Sequence, residues 1–560
     1  MKKLLFVSLA AALTLASCSS DDKQNAPVNP GVTEGYIAFN LSGVANLGGR
    51  ADISYEDGTG AYESKVEGIN LYFFDIYGRQ TREVAALTSA DWTKVDANGT
   101  TTIEDKYQTV GIELTKDPEN ANGTVEVLAV VNQDGSFAKT MTKAEVVAHL
   151  SHNKTYAQDD LKGEAPFSMS SSVYRDGETV YDCTPISLNN VFRTAAEAKD
   201  HPVDIYVDRE MAKVDVPAFT ATVTFEGTDG QVYNNLNATA GENIKVVIKG
   251  IGVTYVPTTS NLFKQHEEAW ISNPNLVSAT NHRSFWADPV YSGKTENYLK
   301  VENYTYNAGN QVVADADGEY LNLSWNGQTA LTAAGAHVYV TENTTGAFSH
   351  IMLLGQILDD NDQPVSLVRW AGKNYKADTF KTQYVNMLKY AGYWKQTAPD
   401  TYATLAEADL EWYDGAAHQQ LVQAGTIKAY ENTCYVKEGV TVVKKNAQGG
   451  YAASSKAEAD AELLKENYIV WCYETGMNYY YLPIKSGFAA AEAGAAENGI
   501  VRNHVYRVNV KTIKGLGTPV ADPAEVIIPE NPEDKAFFMA ATINVLQWRV
   551  VAEDYNFTTN

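Results

Sequence analysis

Residue patterns that would support catalysis are sparse in this 560-residue sequence. A zinc protease requires HExxH, a nucleotide-binding loop requires clustered glycines before Lys and Ser or Thr, and a serine hydrolase requires GxSxG; none of the three occurs. The acidic stretches 314–319 (ADADGE) and 358–364 (LDDNDQP) do not match the twelve-residue EF-hand loop, so we interpret them as solvated turns, with calcium binding left open. The sequence therefore predicts a protein that is not an enzyme and holds no cofactor and no metal.

Cysteine chemistry is indicated at one position, near the N-terminus. Lys2 and Lys3 precede an apolar run that ends near Leu15, a pattern typical of an export signal and too short for a membrane span. The tetrapeptide LASC, ending at Cys18, resembles the lipobox of bacterial lipoproteins. We therefore expect Cys18 to carry lipid, of the palmitate kind, and to become the new N-terminus; an ordinary signal peptide is the alternative.

The other cysteines give no sign of a metal or redox site. Cys183, Cys434 and Cys472 form no CxxC pair. Because three is an odd number, they cannot all form disulfides within an exported chain. A disulfide between Cys434 and Cys472 and buried free thiols both remain open.

Composition and charge favour a large β-rich protein. The chain is 44% hydrophobic and 20% charged and contains 34 tyrosines, which is typical of globular β-structure, and its length predicts two large domains. The net charge of −25 argues against nucleic acid as a partner, because phosphate binding needs clustered Lys and Arg. Solubility explains this acidity, and repulsion between free subunits is a further possibility.

Strand patterns dominate the sequence between these features. In YIAFNLSG, Ile37, Phe39 and Leu41 share one face, which predicts a half-buried strand. Helices are predicted only in small pieces, at 142–152 and from Ser455, where Ser454 or Ser455 would be the N-cap. Arg50 follows this first strand after two glycines and is the one Lys or Arg between Lys23 and Lys65.

The C-terminal part ends in an unusual arrangement. Residues 517–535 hold four prolines and several acids, which predicts an extended spacer outside the packed core. A strand-like apolar run follows, and we expect it to be held away from the body. Its alternation changes face after Val545. Met539, Ile543 and Val545 lie on one side, and Leu546, Trp548 and Val550 lie on the other.

Together these features resemble the fimbrillins, the pilus subunits of Bacteroidetes, with the shaft subunits of the short Mfa-type fimbriae of Porphyromonas as the nearest branch. The resemblance spans nearly the whole chain. One departure is Gln547, where relatives often carry Pro. The motifs that support the resemblance are LASC at Cys18, GGRAD around Arg50, VEVLAVVN at 125–132, VDREMAKV at 207–214, VRNHVYRVNVKTIKGLG at 501–517 and INVLQWRV at 543–550.

The resemblance implies an all-β fold of two tandem, transthyretin-like β-sandwich domains with small helical insertions and a C-terminal donor strand. The expected divisions of the chain are a lipoprotein signal peptide (1–18), a propeptide with a removable strand (19–50), an N-terminal sandwich (51–200), a C-terminal sandwich (201–515), a Pro-rich spacer (516–535) and a donor-strand segment (536–560).

The resemblance also implies a maturation route. An Arg-specific protease would cut between Arg50 and Ala51, since Gly48 and Gly49 make the site accessible. The cut would remove the strand that carries Ile37, Phe39 and Leu41 and would open a groove. The C-terminal strand of another subunit would then fill the groove by β-augmentation. The alternatives are that Arg50 is a solvated loop residue and that the last strand folds back onto its own domain.

The implied partners are further copies of the chain, accessory tip and anchor subunits, the maturation protease, host or bacterial surface ligands and, in the precursor, the outer membrane through the lipid. The implied location is a fimbrium on the cell surface, where the protein would serve adhesion, biofilm formation and virulence. The alternatives are a tip or anchor subunit and a monomeric lipid-anchored protein that binds glycan or peptide.

Overall fold

In the computed structural model, a large part of the chain between residues 35 and 554 is described. The described residues are 35–44, 62–95, 103–114, 123–133, 141–150, 154–176, 179–219, 222–225, 244–264, 277–278, 283–284, 304–306, 312–315, 317–343, 349–371, 373–485, 499–528, 538–546 and 551–554.

The first unit, up to Arg209, is built on one nine-stranded sheet. Its elements are β1 (Gly35–Ile37), β2 (Phe39–Val44), β3 (Ile69–Phe74), β4 (Ala85–Leu87), β5 (Trp92–Val95), β6 (Ile103–Thr109), β7 (Ile112–Leu114), β8 (Glu126–Val131), α1 (Lys143–Leu150), β9 (Lys154–Thr155), β10 (Met169–Ser171), β11 (Tyr174–Asp176), β12 (Thr179–Tyr181), β13 (Thr184–Pro185), α2 (Ala195–Asp200) and β14 (Val203–Arg209), with 3-10 turns at Gln158–Lys162 and Leu188–Asn190. The strand order is β4-β3-β8-β10-β14-β2-β6-β5, and β13 also pairs with β8.

The second unit begins at Met211 and continues to Leu358. Its elements are β15 (Met211–Val216), β16 (Thr222–Phe225), β17 (Ile244–Thr254), β18 (Val256–Pro257), β19 (Thr259–Ser260), β20 (Val277–Ser278), β21 (Arg283–Ser284), β22 (Tyr304–Tyr306), β23 (Val312–Asp315), β24 (Tyr320–Leu321), a 3-10 turn at Trp325–Gly327, β25 (Thr329–Ala330), β26 (Ala336–Thr341) and β27 (His350–Leu358).

A third unit is inserted after β27. Its elements are β28 (Leu367–Trp370), β29 (Lys373–Lys376), α3 (Lys381–Tyr390), β30 (Tyr393–Ala398), β31 (Thr401–Thr404), β32 (Leu410–Trp412), α4 (Gly415–Gln423), β33 (Glu431–Asn432), β34 (Cys434–Val436), β35 (Val442–Lys445), β36 (Tyr451–Ala453), α5 (Lys456–Leu463) and β37 (Val470–Tyr473), with 3-10 turns at Ala377–Thr379, Glu407–Asp409 and Glu466–Tyr468.

The chain then returns to the second unit and completes it. The last elements are β38 (Met477–Pro483), β39 (Val505–Lys514), β40 (Thr518–Pro519), β41 (Phe538–Leu546) and β42 (Val551–Asp554). One sheet has the order β26-β15-β39-β41-β42, and the other has the order β16-β17-β27-β38-β40 with β25 beside β17.

Alternation along the strands builds both cores. In β3, Ile69, Leu71 and Phe73 join an apolar cluster on one side of the first sheet, whereas Tyr72 and Phe74 join a second cluster on the other side. In the second unit the five- and six-stranded sheets share one large apolar cluster. The mostly β architecture predicted from the sequence is therefore confirmed.

The inserted unit is larger than the small helical insertions that the sequence predicted. It has its own apolar core, in which Phe380, Tyr384 and Leu388 of and beside α3 pack against Leu410 and Val470. Its strands are only two to six residues long, and their apolar residues are separated by Lys, Thr and Asp. For that reason these strands look like polar connections in the sequence.

The predicted helices are found in small pieces, as expected. The first is α1, and the second is α5, whose N-cap is Ser455. The Ser455 hydroxyl accepts a hydrogen bond from the Glu458 amide at 3.1 Å, and the Glu458 carboxylate accepts one from the Ser455 amide at 3.2 Å. This capping box satisfies amides that the first turn leaves unpaired.

The junction between the first two units lies near residue 210, later than the predicted boundary at 200. β14 pairs with β2 and β10 of the first sheet, whereas β15, which begins at Met211, pairs with β26 and β39 of the second unit.

Within the described part of the chain, no helix is long and apolar enough to cross a membrane.

Candidate strand-exchange site

The predicted removable strand lies in the interior of the first sheet. β2 pairs in parallel with β14 at five positions and antiparallel with β6 at four positions. Just before it, β1 pairs with β7, and the Tyr36 amide and carbonyl both bond to Phe192. The segment therefore has backbone partners on two sides, as a central strand does.

Ile37, Phe39 and Leu41 lie together in the apolar cluster of the first unit, and each is at most 1% exposed. Phe39 packs on Phe73 with ring centroids 6.1 Å apart. Burying three such side chains stabilises the sheet by about 5–9 kcal/mol before opposing terms. The sequence therefore identified three residues of one buried face.

The other face of the strand is buried as well, which differs from the half-buried strand expected from the sequence. Ala38 is 0% exposed and Asn40 is 6% exposed. The side-chain amide of Asn40 donates a hydrogen bond to the Asp204 carboxylate at 2.9 Å, and the backbone amide of Phe39 donates one to the Thr109 hydroxyl at 2.9 Å. Period-two alternation cannot distinguish a half-buried strand from one that is buried on both faces. The second face can be buried although it is not apolar, because a small residue such as Ala38 and a hydrogen-bonded residue such as Asn40 can both be buried.

The strand order determines what removal of β2 would leave. β2 separates β14 from β6, and the rest of the sheet connects to β5 and β6 through it. Its loss would leave a slot with unpaired backbone groups on both flanks and an apolar floor, which is a costly arrangement. An extended segment that enters this slot would find a parallel partner on one side and an antiparallel partner on the other.

The residues predicted for lipidation and cleavage lie outside the described part of the chain. These are Cys18, Arg50 and Ala51. Description resumes at Tyr62, and the segment that starts there is held firmly by Glu63, which is 1% exposed.

The C-terminal strand is paired with its own second unit, so the expectation that it is held away from the body is wrong for its described backbone. β41 pairs antiparallel with β39 at nine positions, from Lys514 opposite Phe538 to Val505 opposite Leu546. Met539, Ile543, Val545 and Leu546 belong to β41, whereas Trp548 and Val550 lie outside the described residues. A long β39 edge offers backbone groups that the last strand can satisfy.

The position of β41 within that sheet still allows it to be released. β42 is the outermost strand and pairs with β41, so the two strands form a hairpin at the sheet edge. Separating this hairpin from the body breaks one ladder, the one with β39.

The spacer prediction is wrong for residues 516–528, which are packed against the second unit. β40 pairs with β38, and Val520 and Ile527 are buried among aromatic and aliphatic side chains. The Ile527 amide also donates to the Leu323 carbonyl at 2.7 Å. Prolines break the ladder only at their own nitrogens, so the residues between them still pair and pack.

The motifs VDREMAKV and VRNHVYRV meet in a buried charged junction between the first two units. Lys213 pairs with Glu63 at 2.7 Å, and Arg502 pairs with Glu342 at 2.9 Å. Lys264 pairs with Asp208 at 2.9 Å, and both side chains are 2% exposed. Sequence reasoning used these motifs only for the resemblance, because a charged run cannot be recognised as buried without its partners.

Electrostatics at this junction favour the paired charges. Burial opposes ionisation of Glu63, but the Lys213 ammonium, the Tyr339 hydroxyl and Arg209 outweigh it and hold the pKa of the Glu63 carboxyl below its usual value. Arg209 also donates to the Glu63 carbonyl and to the Asn503 side chain. The segment after the predicted cleavage site is thus fixed to both units.

One cluster of residues of the types that bind metal ions contains a lysine ammonium. Glu126, Asp182 and Cys183 lie close together, and the Lys143 ammonium is 3.0 Å from Glu126 and 2.6 Å from Asp182. Burial raises the pKa of both the Glu126 carboxyl and the Cys183 thiol. This arrangement is a salt-bridge network that joins α1 to the first sheet.

The acidic loop at 358–364 and the cysteines also have structural roles. The Asp359 carboxylate accepts from the amides of Asn361 and Gln363, and Asp362 pairs with Lys245 at 2.5 Å. Cys434 and Cys472 both belong to the inserted unit and are free, as is Cys183.

Comparison with known proteins gives a family for the last strands. Residues 472–554 match the family described as major fimbrial subunit protein type IV, fimbrillin, C-terminal. The match begins in β37 and continues through β42, so it includes the predicted donor strand. The resemblance to the fimbrillins is therefore confirmed for this region. None of the curated proteins matches the sequence.

Two solved structures show similarity at low identity. A fimbrilin (fimA) from Porphyromonas gingivalis W83 aligns with a TM-score of 0.35 and 12% identity, over 93% of this chain and 99% of that one. The tip fimbrial protein Mfa3 from Porphyromonas gingivalis, with a C-terminal truncation, aligns with a TM-score of 0.30 and 10% identity, over 92% of this chain and all of that one.

Proposed function

We propose that this chain, whose C-terminal region is that of a fimbrillin, is a structural subunit of a bacterial surface fimbria and polymerises by strand exchange. The observation that carries the proposal is the position of β2, a strand between β14 and β6 that precedes Arg50 in the chain and whose residues Phe39, Asn40 and Leu41 are buried. The fimbrillin match over the last strands supports it from the opposite end.

The first step is maturation of the precursor. The chain is exported as a lipoprotein held in the outer membrane through Cys18, and an Arg-specific protease hydrolyses the Arg50–Ala51 bond. Release of the lipidated Cys18 together with residues 19–50 withdraws β1 and β2 from the first sheet. The side chains that packed on Ile37, Phe39 and Leu41 then line an open slot.

The second step is release of the β41–β42 hairpin of another subunit from its own sheet and insertion of β41, the donor strand, into the slot. The backbone ladders exchanged are similar in length, since β41 leaves nine paired positions with β39 and β2 occupied five with β14 and four with β6. Hydrogen bonding alone therefore does not drive the exchange. The driving force is burial of the vacated apolar slot, which was covered by side chains contributing about 5–9 kcal/mol.

The same geometry keeps the precursor monomeric. Its slot is filled by β2, and its C-terminal hairpin is paired with β39. Cleavage changes only the first of these, so assembly begins after maturation and not before. Such control suits a subunit that crosses the cell envelope unassembled.

A shaft role in Mfa-type fimbriae follows from the full set of leaving strand, Arg site and C-terminal donor. A subunit at the tip or the anchor would need to donate or accept a strand, but not both. Partners in the proposal are therefore further copies of the chain, accessory tip and anchor subunits and the maturation protease. The competing function is a monomeric lipid-anchored protein that binds glycan or peptide.

The test treats a soluble form of the chain, Ser19 to Asn560 without the lipidated cysteine, with an Arg-specific protease and follows the reaction by intact mass and electron microscopy. We expect a product that begins at Ala51 and grows into filaments, and no filaments from Arg50→Ala. An uncut or monomeric wild-type product under the same conditions would support the lipid-anchored binding protein instead.

A further inference from the structure

The inserted unit carries an aromatic surface that polymerisation does not use. Strands β31, β30, β35 and β36 form a four-stranded antiparallel sheet. The register places Trp394 opposite Thr404 and Lys445 opposite Tyr451, and Gln396 opposite Tyr402. Because side chains alternate, these residues share one face of the sheet, while Tyr393 and Val442 on the other face pack into the core of the unit.

The rings on this face contact each other and are not part of the core. Tyr402 and Tyr451 stack with centroids 4.1 Å apart and an interplanar angle of 13°, and Trp394 meets Tyr451 edge-on at 5.7 Å. All three are half-buried, and none of them belongs to the apolar cluster beneath the sheet. Part of each ring is therefore accessible to solvent.

A cation lies within this aromatic group. The Lys445 ammonium is 4.5 Å from the Trp394 ring and 5.6 Å from the Tyr451 ring. Among the described residues, no carboxylate forms an ion pair with it, although the chain as a whole has a net charge of −25. A positive charge held by rings in an acidic protein is complementary to an anionic ligand.

We propose that this face, which we call the Tyr402 platform and which consists of Trp394, Gln396, Tyr402, Thr404, Lys445 and Tyr451, binds an anionic glycan. The apolar faces of sugar rings would stack on the Tyr and Trp rings, and the Lys445 ammonium would pair with the carboxylate or sulfate of the sugar.

The chemistry of the platform favours a glycan over an apolar peptide. Gln396 and Thr404 place an amide and a hydroxyl beside the rings, which suits a ligand rich in hydroxyl groups. Two aliphatic residues lie among the paired positions of this face, and neither offers much contact surface: Val443 is 5% exposed, and Ala453 opposite it is exposed but carries a single methyl group. A peptide groove would instead need an open row of aliphatic side chains.

The platform is independent of the strand-exchange site. It lies in residues 393–453, within the inserted unit, whereas the slot and the donor strand belong to the first and second units. Loss of glycan binding and loss of polymerisation can therefore be observed separately on the same chain.

The test uses the soluble form of the chain, Ser19 to Asn560, and isothermal titration calorimetry with three glycan probes. Hyaluronan octasaccharide carries carboxylates, chondroitin sulfate octasaccharide carries carboxylates and sulfates, and chitohexaose is neutral. We expect saturable binding of at least one anionic probe, weaker binding of chitohexaose and a decline of affinity with added salt. The comparison of the two anionic probes identifies the acidic group.

Two variants and a matched control complete the test. Lys445→Gln and Tyr402→Ala should each weaken binding at least tenfold, while Tyr390→Ala, which alters a 90% exposed tyrosine outside the platform, should leave it unchanged. Because Lys445 lies on the face away from the core of the unit, Lys445→Gln should keep the wild-type unfolding temperature. That measurement checks that the variant is folded. Absence of binding to both anionic probes, equal binding of chitohexaose, or wild-type affinity in Lys445→Gln would overturn the proposal. Filament growth after cleavage, measured on the same variants, should be normal.

Discussion

Glu63 connects the segment that follows the predicted cleavage site to the junction between the first two units. Its carboxylate faces the Lys213 ammonium at 2.7 Å and accepts a hydrogen bond from the Tyr339 hydroxyl, and its backbone carbonyl accepts one from Arg209. Buried pairs of this kind cost desolvation energy, but removing one partner leaves the other charge in a place where water cannot reach it. In the proposed mature chain, Glu63 holds the new N-terminal segment against the body.

We predict that Glu63→Gln lowers the free energy of unfolding at pH 7 by about 3–5 kcal/mol, because the Lys213 ammonium loses its facing carboxylate. Glu67→Gln is the matched control, since Glu67 pairs with Lys65 at the surface and both are about half exposed. The control should keep wild-type stability. Urea unfolding followed by circular dichroism measures both, and equal stability of Glu63→Gln and wild type would contradict the prediction.

The pH dependence of that difference has a definite sign. The folded-state pKa of the Glu63 carboxyl is held below the ordinary value of 4.5, so its stabilisation is complete above that value and is lost as pH falls through the lower, folded pKa. The gap between wild type and Glu63→Gln should therefore narrow from about pH 5 downwards. A gap that widens on acidification would mean that Glu63 does not face a cation in the folded protein.

The two strands proposed to exchange occupy different places in their sheets. β2 is central and β41 is next to the outermost strand. In the proposed assembly, removal of β2 would open the middle of the first sheet, whereas the β41–β42 hairpin could leave with the loss of one ladder. This asymmetry supports the proposed acceptor role of the first unit and the proposed donor role of the second.

A chain truncated before residue 536 should act as a terminator of growth. After cleavage at Arg50 its slot is open and can accept a donor, but it has no hairpin to donate. Mixed with cleaved wild-type chains, it should shorten filaments in proportion to its share, as measured by electron microscopy. The same truncated chain carrying Arg50→Ala keeps its slot filled and should have no effect. Unchanged filament lengths with the cleaved truncated chain would remove the C-terminal hairpin from the donor role.

Sequence patterns predict an element when neighbouring residues determine its structure, and they fail when contacts with residues distant in sequence determine it. The period-two strand with Ile37, Phe39 and Leu41 and the helix capped by Ser455 are visible in a few consecutive residues. Burial of Asn40 depends on Asp204, which is 164 residues away. The pairing of β41 with β39 and the packing of Ile527 likewise depend on surfaces that no local pattern contains.

The candidate site was predictable to a similar degree. Alternation identified the buried face of the first strand, and the apolar run after the prolines identified the strand β41, while the leaving and donor roles of these strands stay predictions. The charged junction was missed because Asp208, Lys213 and Arg502 look like surface charges until the two motifs are brought together. The aromatic platform was missed because its three rings come from three short strands between 393 and 453, and its lysine comes from a fourth.

At the scale of the whole molecule, the three units have separable tasks. In the proposed assembly the first unit holds the slot, the second holds the hairpin, and the inserted unit carries the Tyr402 platform. Loss of residues 1–50 removes four cations and three acids, which changes the net charge from −25 to about −26. In the proposed assembly, burial of apolar side chains in the opened slot would overcome the repulsion between such subunits.

The most direct test of strand exchange places a photo-crosslinking phenylalanine analogue at Ile543 in β41. Cleaved chains labelled with nitrogen-15 are mixed with unlabelled chains that carry the analogue, allowed to form filaments, irradiated and digested for mass spectrometry. We predict crosslinks from the unlabelled analogue to labelled peptides that contain residues 103–109 or 203–209, the two flanks of the slot. Crosslinks confined to unlabelled peptides that contain residues 505–514 would show that the strand stays in its own sheet and would contradict polymerisation by donor exchange.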